Sequence, residues 1–277
     1  MLKKEYRQLS CYKIMTALGF YDMAAIAINS LATGLLWLNG ANYCSHPTLV
    51  YVLGTIGLSL WCGACLNCLI LVINRILEVT DRRWLYIIYG NHRTYVVLLL
   101  PFIYSVCFCF FTPPMLFNSS YMAWFFDTYA PGHEADEYYN YPYTVNNLLV
   151  VAITCLLYIP YARRVLSLSR STMRLSWAQK SFFIQCTSIC TANFVAALSY
   201  VYMQFFETTS YIALLGHIFW QLGHGFPAIV YIVLNKTIHR EALYLLGIRR
   251  PSNSTQVTQV SKISRNTTQN SHELFHG

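Results

Sequence analysis

Residues 48–73 read TLVYVLGTIGLSLWCGACLNCLILVI, a run without one Asp, Glu, Lys or Arg, and Asn74-Arg75 close it. A helix of about 20 apolar residues crosses the roughly 30 Å of bilayer hydrocarbon at about 1.5 Å per residue. A barrel strand needs only about half that length, and lipid offers the backbone no partner outside a helix or a closed barrel. Comparable apolar stretches lie at 14–38, 94–111, 145–162, 182–206 and 211–234. Of the 277 residues, 56% are hydrophobic and 11% charged, whereas soluble domains run near a quarter charged. The expected fold class is all-α, a polytopic membrane helix bundle with six transmembrane helices.

Charge orients these helices. Lys3, Lys4, Arg7 and Lys13 precede or open the first stretch, and Arg75, Arg82, Arg83 and Arg93 fall between the second and third. Arg163, Arg164, Arg170, Arg174 and Lys180 follow the fourth; Lys236, Arg240, Arg249, Arg250, Lys262 and Arg265 follow the last. Segments 39–47, 112–144 and 207–210 contain no Lys or Arg, so all 19 basic residues sit on one side. The positive-inside rule makes that side cytoplasmic and places both termini there. The net charge of +8 is thereby assigned to topology and calls for no nucleic acid. Residues 1–246 are expected to form the bundle plus an amphipathic helix on the cytoplasmic interface, for which a frayed helix end is the alternative. Residues 247–277, rich in Ser, Thr, Asn and Gln, read as a disordered tail.

Polar residues inside the spans are the candidates for function. Asp22 lies about 12 Å from the cytoplasmic end of the first span at helical rise, and a lone charge there costs several kcal/mol. In the last span His217, Gln221, His224, Tyr231 and Asn235 recur at spacings that put them on one face, which must look into the bundle. His217 and Gln221, the outer members, are candidate ligand contacts; His224, Tyr231 and Asn235 can join Asp22 in a polar network. Interhelical hydrogen bonding for packing alone explains the same face. Pro227 opens the local backbone ladder and makes a hinge possible. Trp124 and Phe126, in the acidic and aromatic segment 112–144, are placed to cap an outward-opening pocket.

An ordered series of short stretches carries a family resemblance. It begins with Cys11-Tyr12-Lys13-Ile14-Met15, Leu18-Gly19 and Asp22, then Tyr43-Cys44 with Pro47, Trp61 and Asn74-Arg75. Thr112-Pro113-Pro114, Phe117-Asn118-Ser119, Ala123-Trp124-Phe125-Phe126-Asp127 and Asn146-Asn147 follow. The last are Trp220-Gln221, His224-Gly225 with Pro227, and Leu234-Asn235-Lys236-Thr237-Ile238. Together they resemble the nematode serpentine receptor class T chemoreceptors, a seven-helix family like the G-protein-coupled receptors. In that family the Cys-Tyr-Lys-Ile-Met stretch follows the first helix; here Met1 stands ten residues before Cys11, so the first helix is expected to be missing. The resemblance implies a plasma-membrane receptor of chemosensory neurons that binds a small molecule and signals to a heterotrimeric G protein. It puts Arg75, with Asn74, in the place of the arginine that meets the G protein, for which a plain stop-transfer charge is the alternative. It also likens Asp22 to the embedded acid of rhodopsin-like receptors, and Pro227 with Tyr231 to their seventh-helix kink. A six-helix channel or transporter subunit shares the topology, and a truncated, non-functional remnant shares the sequence.

Other chemistry is poorly served. Cys62, Cys65 and Cys68 share a helix face in an apolar span and read as packing residues rather than metal ligands. No disulfide framework is expected, since Cys44 has no outer partner. Phosphate-binding and dinucleotide fingerprints are absent, and His217 and His224 share one helix. Neither an enzyme nor a cofactor is expected. Asn118 heads the sequon in the outer loops.

Overall fold

The computed structural model describes residues 9–129, 132, 135–170, 177–234 and 236–248. Asn235 and the expected tail from residue 249 onward lie outside them. Each of the six apolar stretches is helical, the fifth as far as Phe205. In chain order the helices are α1 (Ser10–Leu38), α2 (Pro47–Thr80), the short α3 (Arg82–Tyr89), α4 (Arg93–Phe111), α5 (Tyr141–Arg170), α6 (Trp177–Phe205), α7 (Ser210–Leu234) and the short α8 (Lys236–Leu245). All the long helices except α6 are apolar and long enough to cross a membrane. α6, at 29 residues, is as long, and interrupts its apolar residues with Thr191, Asn193, Ser199 and Gln204.

α2 is the central helix. In its apolar window 78% of residues are buried, against 22% in α4 and in α5. Small residues let the neighbours close on it: a Cβ on Gly63 would lie 2.5 Å from the Tyr21 ring of α1. The opposite faces explain themselves by lipid. Phe20, Leu31, Phe110, Phe111 and Val233 are each more than half exposed, which water would punish and hydrocarbon does not. Pro47 sits in the first turn of α2, where its missing N–H costs nothing. Asp81 caps α3 by accepting from the N–H groups of Arg83 and Trp84.

α1 is not uniform. Residues Ala27–Ala32 form a π-helical segment, and the Thr33 hydroxyl donates to the Ile28 carbonyl five residues back at 2.9 Å. The outer segment after α4 contains a small hairpin, β1 (Leu116–Asn118) and β2 (Ala123–Phe125), antiparallel with Phe117 opposite Trp124. Met122 takes the left-handed conformation (φ 53°) in its turn. Trp124 is fully buried and its indole N–H donates to the Thr33 hydroxyl at 2.9 Å, pinning the hairpin to α1. On the other side the hairpin backbone lies against α2 so closely that a Cβ on Gly54 would fall 1.7 Å from the Met115 carbonyl oxygen. Asn140 fastens the far end: its amide donates to the Pro113 carbonyl at 2.7 Å and its oxygen caps α5 at the Tyr143 N–H, 2.9 Å.

α8 belongs to a unit separate from the bundle. It ends at Gly247 (φ 71°), where the Ile248 N–H donates to the Leu243 carbonyl at 3.0 Å, a left-handed helix stop that favours glycine. Leu245, Leu246 and Ile248 are exposed.

Candidate functional site

The inner polar layer joins α1, α2 and α7. His224 Nδ1 lies 2.8 Å from Asp22 Oδ1, with the two residues 2% and 8% exposed. The imidazole meets the Trp61 indole edge-on at 5.6 Å between ring centres. Its Nε2 has no partner among the described residues. One turn further out, the Gln221 amide donates twice, to the Asn29 carbonyl of the π-helical segment at 2.8 Å and to His217 Nε2 at 3.2 Å. An amide N–H can only donate, so His217 Nε2 accepts and Nδ1 carries the ring proton. That Nδ1–H is buried without a partner among the described residues, as are the Asn29 amide, the Trp220 indole N–H and the Tyr200 hydroxyl.

A second polar string leaves the same centre. The Trp61 N–H donates to Asn147 Oδ1 at 2.9 Å, the Asn146 amide donates to the same oxygen at 3.0 Å, and the Tyr104 hydroxyl donates to Asn146 Oδ1 at 3.0 Å. All of this ties α2, α4 and α5 together through groups that lipid would not satisfy.

At the end of the bundle that lacks Lys and Arg lies a cavity of about 420 Å³ between the hairpin and the end of α6. One wall is Tyr121, Phe125 and Tyr129, whose ring centres are 5.3–5.4 Å apart. The other is Tyr139 and Phe205, in edge contact at 5.1 Å. Phe126, Met203 and Gln204 line it further, and Asp127 and Glu207 bring two carboxylates. Asp127 accepts from the Tyr129 N–H at 2.8 Å. Burial, and then the Asp127 carboxylate, push the Tyr129 phenol above its ordinary pKa, so it stays a neutral donor. Met203 connects the layers, since a Cβ on Gly216, the residue before His217, would come 2.6 Å from its sulfur.

At the end of the bundle that carries the Lys and Arg residues, Asn74 donates its amide to the Ser10 hydroxyl at 2.9 Å. Arg75 is 2% exposed and ion-paired with Glu78 one turn on. The two residues read as G-protein contacts are thus turned inward here.

The structure brings together Asp22 with His224, and His217 with Gln221, while Phe126 reaches the cavity and Trp124 is a buried anchor beside it. Pro227 lies inside α7. The Tyr231 side chain and Asn235 fall outside what is described. The embedded amides of Asn29, Asn146, Asn147 and Gln204 went unread as site residues, although uncharged polar groups at membrane depth are themselves a signal. No group of three or more His, Cys, Asp or Glu suited to a metal occurs among the described residues.

Comparison with known proteins gives two matches. The family model described as serpentine type 7TM GPCR chemoreceptor Srt matches residues 1–255. The chain is also 28% identical over 255 residues to serpentine receptor class T-55 of Caenorhabditis elegans, covering 91% of this chain and 69% of that protein. No solved structure matches.

Proposed function

The chain belongs to the serpentine class T seven-helix chemoreceptors, and on that premise we propose that it is a plasma-membrane chemosensory receptor that binds a small molecule at its outer face and signals to a heterotrimeric G protein. The observation that carries this reading is the outer cavity of about 420 Å³. Its size suits a small ligand, and it stands one methionine away from the buried His217 layer. A ligand wedged between the hairpin and α6 presses on Met203 and, through Gly216, on the outer half of α7. His217 and Gln221, beneath Met203 rather than in the cavity lining, sense this, and Phe126 with the buried Trp124 holds the wall. Movement of α7 is passed inward by the Asp22–His224 pair, with Pro227 as the compliant point where the backbone ladder lacks a hydrogen bond. At the far end Arg75 leaves Glu78 and turns, with Asn74, toward the G protein. Two packings of the bundle, biased by the ligand, suffice for this.

The reading is tested with the full chain in nanodiscs and a panel of purified heterotrimers, following guanine-nucleotide exchange. Basal exchange above that of empty discs is expected. Glu78→Gln should raise it several-fold by loosening the hold on Arg75, and Arg75→Ala should abolish it. Ion flux from the same preparation reconstituted in vesicles, with no exchange under any condition, would replace the receptor by a channel.

A further inference from the structure

Resting on the receptor reading, we propose that the outer cavity selects organic ammonium ions, that is, primary or secondary amines in their protonated form.

Charge argues first. Segments 39–47, 112–144 and 207–210 hold Asp127, Glu134, Asp136, Glu137 and Glu207 and neither Lys nor Arg. An outer surface of one sign with low-dielectric walls concentrates ions of the other sign at its mouth. Asp127 and Glu207 stand in the cavity itself. An anionic ligand would meet two carboxylates and no basic side chain.

The walls argue second. Aromatic faces attract a cation held over them, more strongly where water is excluded. Tyr121, Phe125 and Tyr129 stand on one side and Tyr139 and Phe205 on the other.

Gln204 supplies the independent observation. It lines the cavity and is 8% exposed. Its Nε2 donates to the Thr144 hydroxyl at 3.0 Å, while its carbonyl oxygen Oε1 is buried without a partner among the described residues. A buried acceptor left unpaired costs about 1–3 kcal/mol, which a ligand N–H removes once the side chain turns Oε1 toward the cavity it lines. Two carboxylates, one orphan amide oxygen and ring faces are all acceptors. The complementary head group carries several N–H donors and a positive charge, and an alcohol supplies one donor and no charge. A tertiary or quaternary ammonium lacks the second N–H that would serve Gln204 and a carboxylate at once.

The experiment uses the full chain in nanodiscs, isothermal titration, and three probes of matched size: 2-phenylethylamine, 2-phenylethanol and 3-phenylpropanoate. The amine is expected to bind at least about tenfold more tightly than either comparator, the scale of one charge-assisted hydrogen bond. The advantage should shrink as sodium chloride rises. Asp127→Asn with Glu207→Gln should remove it. Asparagine at 127 keeps the oxygen that accepts from the Tyr129 N–H, so the loop stays built. Equal binding of the alcohol, or amine binding untouched by the double variant, overturns the proposal. Nucleotide exchange in the same discs separates this failure from that of the receptor reading. Exchange driven by the alcohol leaves a receptor without amine selectivity. Amine selectivity without exchange leaves the site and removes the receptor. Binding of none of the three probes overturns the assignment of the cavity as a ligand site.

Discussion

Replacing Asp22 by Ala would leave the His224 ring, 2% exposed, with neither nitrogen bonded, because Nε2 already lacks a partner among the described residues. Breaking such a buried pair from one side costs about 3–5 kcal/mol, most of it the stranded partner. Asp22→Ala is therefore expected to lower stability by about that amount in thermal denaturation of the protein in nanodiscs. Asp22→Ala with His224→Phe should recover a large part of the loss. Strict additivity of the two single changes would mean that the pair does not act as one. Both residues were legible in the sequence because an acid and two histidines in apolar helices have few explanations. Their pairing was less so: helical periodicity gives the face that His224 occupies on α7, but the choice of partner across helices comes from packing. Gln204 was passed over because one amide near a span end looks like ordinary interface chemistry. Only its burial and its bond to Thr144 expose the spare carbonyl.

At the next scale the hairpin β1–β2 behaves as a plug seated between α1 and α2. Its seat has no room for a side chain at Gly54, where an added Cβ would meet the Met115 carbonyl at 1.7 Å. Gly54→Ala should thus unseat the hairpin and lower folded yield severely, read as the monodisperse fraction after solubilisation. Gly34→Ala in α1, where nothing lies within 4 Å, should be neutral or stabilise by up to about 1 kcal/mol through helix propensity. Equal losses at both positions would show that the contact at Gly54 is not what matters. The helices were legible as elements because about 20 apolar residues in a bilayer permit only one local structure. The hairpin was not, since strands of three residues are too short to show a period of two, and its burial comes from α2 rather than from its own pattern. The π-helical segment was equally silent: Ala27–Ala32 reads AINSLA and carries no proline or glycine pair to announce it.

Across the whole molecule the one-sided placement of Lys and Arg is the most demanding statement, and it can be checked without a ligand. Cys44 is exposed in the outer segment 39–47. In intact cells expressing the chain a membrane-impermeant maleimide should label it, and Cys44→Ser should abolish the signal. A cysteine placed at His92, exposed in the segment between α3 and α4, should react only after permeabilisation. The other exposed thiols among the described residues, Cys107 and Cys155, lie within the apolar helices α4 and α5, which a charged, water-borne reagent does not enter. Labelling of residue 92 from outside would invert the topology and with it the placing of the cavity. The π-helical segment has a consequence at this scale. One inserted residue turns everything beyond it by about 100° around the helix axis, so α1 is two helices with different frames. The inner frame aims Asp22 at His224, while the outer aims Thr33 at Trp124. Any slip that annealed the insertion would keep the first aim and swing the second away from the hairpin. The loop that walls the cavity is thereby geared to the helix that holds the buried acid, and α1 can work as a crank between them without breaking a turn.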